Sequence, residues 1–178
     1  MDPAQLHRDA IVIDGLIVSN FSRSVFEDMR RGGITAANCT CSVWEDFRGT
    51  MVNVARWKTW FAENADLITQ VYGVADIARA KREGRVGIIL GWQNLSGIED
   101  QLPYLQLFRE LGVRIMQVTY NTQNLVGCGC YEKNDGGLSD FGHEVVAEMN
   151  RLGILCDLSH VGPRTSEDVI RVSAKPVA

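Results

Sequence analysis

The chain has 178 residues, enough for one domain with a substantial core, and its 46% hydrophobic and 22% charged content is that of an ordinary globular protein. A net charge of -4 leaves no basic footprint for nucleic acid or an anionic membrane as the main partner, so a small molecule is the expected ligand. The amino terminus "MDPAQLHRDA" lacks the charged and apolar regions of a secretory leader, and no run approaches the roughly 18 apolar residues of a membrane span. A cytoplasmic location is therefore expected, and the five cysteines, Cys39, Cys41, Cys128, Cys130 and Cys156, are expected to be free thiols.

In chain order, "AIVIDG" (10 to 15) reads as a short buried strand that stops at Asp14-Gly15, with apolar residues where a polar loop is expected. "RSVFEDMRRGG" reads as a helix with Val25, Phe26 and Met29 on one side, and "ITAANCTCSV" (34 to 43) as the second strand. Trp57, Phe61, Ala65 and Ile68 recur at helical spacing, which predicts a long amphipathic helix from about Thr50 to Ile68. "VADIARAKREG" is a short helix before the strand "RVGIIL"; the helix "IEDQLPYLQLFRELG" then precedes the strand "VRIMQVTY". Residues 121 to 137, "NTQNLVGCGCYEKNDGG", form a long aperiodic loop of the kind that usually carries function, with "GCGCYE" as a candidate lid bearing a reactive thiol. A helix on Phe141, Val145, Met149 and Leu152 leads to the strand "ILCDLSH", Pro163 opens a last helix, and "KPVA" starts another strand.

Strands alternating with helices in this way predict a parallel sheet with helices outside it. Polar groups follow almost every strand: Asp14, Cys39, Gln93 with Asn94, Tyr120 with Asn121, and Asp157 with His160. In a (β/α)₈ TIM-type barrel those strand ends form one mouth, where active sites lie. About five to six strands are present, against about 250 residues for a complete barrel, so the chain is expected to be the amino-terminal part of one barrel domain spanning residues 1 to 178. Such a piece leaves strand edges unpaired, which calls for a carboxy-terminal remainder or a homo-oligomer as partner.

"EMNRLGILCDLSH", together with "IVIDG", "GIILG" and "VTYNTQN" in the same order, resembles the membrane (renal) dipeptidase family, zinc peptidases on an amidohydrolase-type barrel. The resemblance covers nearly the whole chain and implies a hydrolase of dipeptides or small amino-acid-derived amides. It also exposes departures. Where the family has a His-x-Asp zinc pair after its first strand, this sequence has Leu16 and Val18; where it has a bridging Glu, Gln93 stands; and Tyr120 replaces a substrate-contacting His. None of Leu16, Val18 and Gln93 is a charged ligand, so the family's two-zinc centre is not expected. His160 of "DLSH" is the surviving ligand position, open to a single zinc, a general base or a hydrogen-bonded remnant, and the remaining ligands would lie beyond Ala178.

Two functions follow. In the first, His160 activates water and Tyr120 or Asn121 donates to the oxyanion, with Gln93, Asn94, Asn121 and Asp14 lining the substrate pocket. In the second, the barrel binds a small molecule and the chemistry has gone. Cys39, Cys41, Cys128 and Cys130 could approach the same mouth as a thiolate metal site, but their C-x-C spacing is not the usual zinc spacing, and free thiols are favoured.

Overall fold

A computed structural model describes residues 2 to 178. Seven α-helices and six β-strands alternate: α1 (Pro3–Asp9), β1 (Ile13–Ile17), α2 (Arg23–Arg31), β2 (Ala36–Ser42), α3 (Phe47–Glu63), β3 (Ile68–Gln70), α4 (Val74–Glu83), β4 (Val86–Trp92), α5 (Tyr104–Leu111), β5 (Val113–Gln117), α6 (Asp140–Leu152), β6 (Leu155–Asp157) and α7 (Pro163–Val172). The strands make one sheet in the order β1-β2-β4-β5-β6, with β3 beside β4, and β1–β2, β3–β4 and β5–β6 pair in parallel. The α/β barrel-type class expected from the strand and helix pattern is what the chain adopts. No described helix is long and apolar enough to cross a membrane.

The residues part into two compact units, 1–40 with 55–90, and 41–54 with 91–178. In the first, helix α2 stands on Phe26 and Met29, both buried, with Val25 half-buried beside them, because its remaining residues are charged or serine. Phe26 meets an aromatic cluster centred on Trp57, whose ring lies 4.7 Å from Phe21, 4.9 Å from Trp60, 5.8 Å from Phe61 and 6.1 Å from Phe26 between centroids. Gly87 on β4 is required by its surroundings, since a Cβ there would sit 2.8 Å from the Val71 side chain and 3.4 Å from that of Ala36. The second unit has its core on Leu105 and Phe108 of α5, Met116 of β5, and Val145, Val146 and Met149 of α6.

Three expectations need correcting. The first strand does not stop at Asp14: it continues through Gly15 and Leu16 to Ile17, with a register shift against β2 between Asp14 and Ile17. The Asp14 carboxylate accepts the Leu16 N–H at 3.0 Å, a local bond that satisfies the backbone where the ladder is irregular. Nor is this strand fully buried, for Ile11 and Ile13 are each more than half exposed, as an end strand of the sheet allows. The long helix begins at Phe47 and ends at Glu63, and Ile68, counted on its apolar stripe, belongs instead to the unanticipated strand β3. Three residues are too few for an alternating period to show.

"KPVA" does behave as the start of a strand: Ala178 donates to the Cys156 carbonyl at 3.0 Å and its own carbonyl accepts from Leu158 at 2.7 Å. Replacing the almost fully buried Trp57 by alanine should destabilise the protein by about 3–5 kcal/mol, through lost transfer energy plus the cavity left among four rings. Urea unfolding followed by circular dichroism would read this as a lower midpoint with little change in slope.

Candidate active site

The second unit brings Tyr120, Asn121 and His160 into direct contact. Tyr120 and Asn121 follow β5, whereas His160 sits in the tight turn after β6, where the Asp157 carboxylate accepts the Ser159 N–H at 2.8 Å. Asn121 (φ 62°) and His160 (φ 58°) both hold left-handed backbone. That conformation costs a side-chain-bearing residue on the order of 1–3 kcal/mol and is found where surrounding contacts enforce it, often at functional sites. Here the enforcing contacts can be named. The Asn121 carbonyl accepts the Tyr131 N–H at 2.8 Å, and the His160 carbonyl accepts the Cys130 N–H at 3.0 Å.

The side chains are joined as well. His160 Nδ1 lies 2.8 Å from Asn121 Oδ1. An amide oxygen only accepts, so Nδ1 is the donor in this pair and Nε2 lies outside it. The Cys130 thiol points at the same oxygen from 3.6 Å, a second donor consistent with that amide orientation. Tyr120 stacks on the imidazole with ring centroids 4.4 Å apart and planes 26° from parallel, and Trp44 stands edge-on to Tyr120 at 5.1 Å. The result is an exposed imidazole, held through one nitrogen and one face.

Trp44 is presented by a turn after β2 that composition alone does not reveal. The Glu45 carboxylate accepts the Val43 N–H at 2.7 Å and the Trp44 N–H at 3.0 Å, and takes the Asn53 amide at 3.1 Å. Burial pushes its pKa up, but these donors outweigh it and hold the group below the usual glutamate value. Glu45 is thus ionised at neutral pH beside the aromatic ladder.

Gln93 and Asn94, both nearly fully buried, follow β4. The Gln93 N–H donates to the Ser42 carbonyl at 2.9 Å, and Asn94 Oδ1 accepts the Asn124 amide at 2.8 Å. Asn124 in turn donates to the Val118 carbonyl at 2.8 Å and accepts from Val126 and Gly127, so Asn94 is tied to the loop that carries Asn121. Gln117 is wholly buried; its amide nitrogen donates to the Thr119 carbonyl, while Oε1 has no partner among the described residues. Asp14, Leu16 and Val18 belong to the first unit, where Asp14 is engaged with its own strand, Leu16 is half-buried and Val18 exposed.

The loop 121 to 137 is no free lid. Gly129 and Val161 form an antiparallel bridge, and a Cβ on Gly129 would fall 2.2 Å from the Asn121 carbonyl carbon, so only glycine permits the two segments to touch. Cys128 donates through its N–H to Thr165 Oγ1 at 3.1 Å, and its carbonyl accepts from Gly162 at 2.9 Å. Asp135 reaches across to cap α7, accepting the Arg164 N–H at 2.7 Å, the Thr165 N–H at 3.3 Å and the Thr165 hydroxyl at 3.0 Å. All five cysteines are free, as expected, and all but Cys130 are buried. Burial pushes the Cys41 thiol up to about 12 and that of Cys156 to about 11, so both stay protonated at neutral pH. Among the described residues no three of His, Cys, Asp and Glu gather where they could hold a metal ion.

Residues 13–178 match the family model of the membrane dipeptidases, peptidase family M19. The chain belongs to this family. It is similar to the solved structure of an amidohydrolase from Pseudomonas aeruginosa, with 58% identity and a TM-score of 0.98, over 99% of this chain and 54% of that one. It also shares its fold with the probable dipeptidase PvdM of the same organism, at 18% identity and a TM-score of 0.87, over 98% of this chain and 52% of that one. Among curated proteins, an uncharacterised dipeptidase of Schizosaccharomyces pombe is 37% identical over 105 residues, which are 57% of this chain and 25% of that protein. The chain thus spans about half of the structures it resembles, and only a quarter of this curated relative is matched. The family is one of zinc metallopeptidases.

Asp135 gives this M19 chain a pH-dependent seam. Burial acts to raise its pKa, but the N–H groups of Gly137, Arg164 and Thr165 and the Thr165 hydroxyl hold it below the ordinary 3.8. A depressed folded value stabilises above the unfolded pKa, and that contribution is lost as pH falls through the folded one. Asp135→Asn should therefore loosen residues 121 to 137 and the first turn of α7 at neutral pH, and should flatten the acid dependence below about pH 4 that the parent protein shows. Hydrogen exchange followed by mass spectrometry would locate the loss; unchanged protection of both segments in the variant would refute it.

Proposed function

We propose that the chain is the amino-terminal part of a barrel domain that hydrolyses a dipeptide or a small amino-acid-derived amide, with a metal centre reduced from the family's two-zinc design. The observation that supports this reading is the His160–Asn121 pair: an exposed imidazole whose Nδ1 is held by an amide oxygen at 2.8 Å, which leaves Nε2 as the nitrogen open to a substrate. The donor set does not fit two zinc ions. Leu16 and Val18 have no donor atom, and the Gln93 amide is a neutral ligand where a bridging carboxylate is needed. No step is therefore routed through a metal.

In this reading Nε2 of His160 takes a proton from water as the water oxygen attacks the substrate carbonyl, so that one C–O bond forms while the carbonyl oxygen gains the negative charge. The Tyr120 hydroxyl or the Asn121 amide N–H donates to that oxygen, and Gln93 and Asn94 contribute to the pocket wall. Collapse breaks the C–N bond and returns the proton from His160 to the leaving amine, giving a free acid and a free amine. The stacked Tyr120 keeps the imidazole from turning. Trp44 extends the apolar wall. A second reading, a binding barrel without turnover, is favoured by the apolar Leu16 and Val18 at ligand positions.

His160→Gln should lower kcat/KM for dipeptide hydrolysis by about 10²–10⁴-fold while leaving the melting temperature nearly unchanged, the imidazole being exposed. A protein that binds dipeptides by calorimetry yet never turns them over would leave the binding barrel standing. Tight uptake of two zinc ions per chain would overturn the degenerate centre.

We also propose that the domain is completed by a carboxy-terminal remainder or a second copy. Strand β1 ends the sheet order with Ile11, Ile13 and Val18 each more than half exposed, an apolar edge that associates unless covered. Sedimentation of residues 1 to 178 alone should show dimers or larger species; a cooperatively melting monomer would count against it.

A further inference from the structure

Within the first unit, away from the residues assigned to hydrolysis, lies a recess of about 350 Å³ lined by Arg8, Arg30, Lys81 and Arg85 with Gly33, Ile34, Thr35 and Gly84. Four cations from α1, α2, the end of α4 and the residue before β4 converge there, and no carboxylate is part of the lining. This is unusual in a chain whose net charge is -4. Of the nearby acids, Glu83 pairs with the lining Arg85, which also donates to the Ala65 carbonyl at 3.2 Å, while Asp66 is held outside the recess by Arg23 at 2.6 Å. Arg8 reaches Asp2 only at 3.9 Å.

The Lys81 side chain is half-buried and makes no hydrogen bond or ion pair among the described residues. The exposed Arg30 side chain likewise makes no hydrogen bond or close ion pair there. Thr35, 2% exposed, accepts the Val12 N–H at 3.0 Å while its own hydroxyl proton meets no acceptor among the described residues. A buried donor without an acceptor is costly, and so is a half-desolvated ammonium without a counter-charge. The negative ends of helices α2 and α4 account for one favourable position each, near Arg30 and Lys81. They do not account for a concave meeting of four cations beside a buried hydroxyl that only accepts.

We propose that this recess binds a phosphate group, carried by inorganic phosphate or by a small phosphomonoester. A tetrahedral dianion takes several N–H donors at once, which suits arginine and lysine, and it accepts a hydroxyl proton as well. The volume leaves room for a modest organic remainder. The site is separate from the proposed hydrolytic chemistry and does not depend on it.

The test is isothermal calorimetry of the protein with inorganic phosphate and with glycerol phosphate, at constant ionic strength, with chloride and glycerol as blanks. Saturable binding at one site per chain is expected, and Arg30→Gln combined with Lys81→Gln should weaken it by at least about tenfold. Arg82→Gln, a neighbouring exposed cation outside the lining, should leave it unchanged. Tighter binding of glycerol phosphate identifies a phosphomonoester as the ligand, and equal binding identifies the phosphate group alone. Heat no larger than the blanks, or binding equally strong in the double variant and its parent, overturns the proposal. Thermal melts of the variants guard against a folding defect, and none is expected because Arg30 is exposed and Lys81 is not fully buried.

Discussion

The close approach of Gly129 to the backbone of Asn121 is the constraint on which the second unit turns. A loop of seventeen residues closes on itself there, and the closure costs conformational entropy that must be offset by bonds made elsewhere. The offsetting bonds run along one seam: the bridge to Val161, the amide of Cys130 on His160, the amide of Cys128 on Thr165, and the Asp135 carboxylate on the first turn of α7. Each ties a residue of the loop to the segment after β6. Two residues in left-handed backbone, Asn121 and His160, are what this seam holds in place.

That arrangement explains how an isolated histidine can be well oriented without a carboxylate partner. The neutral amide of Asn121 holds Nδ1, while Tyr120 stacks on one face of the ring and Trp44 stands edge-on to Tyr120.

Much of the fold could be read from periodicity. The helices on Phe26 and Met29 and on Val145 and Met149, and the strands around Ile88 and Met116, carry stripes long enough to declare their period. Strand β3 could not be read, because three residues define no alternation and Ile68 also fitted a helical stripe. The continuation of β1 was hidden by Asp14-Gly15, a pair that usually closes a strand and here lies at an irregularity within one. For the site, the rule that polar residues after parallel strands face one mouth named Tyr120, Asn121 and His160, which the structure brings into contact. Trp44, Glu45 and Asp135 escaped it, since their contacts are with residues distant in sequence or come from a turn that hydrophobic pattern does not mark.

The four tryptophans are distributed in a way that gives the molecule a built-in optical reporter. Trp57 and Trp92 are sealed in the interior and Trp60 packs within the aromatic cluster, whereas Trp44 is 60% exposed and touches Tyr120. A small aqueous quencher would therefore reach the indole of Trp44 far more readily than those of Trp57 and Trp92. The quenchable fraction of the emission, red-shifted by water, belongs chiefly to the residue that stands beside the Tyr120–His160 stack. Whatever occupies that stack changes the light from one identifiable ring, so occupancy could be followed in the unlabelled protein while the buried indoles supply an internal reference.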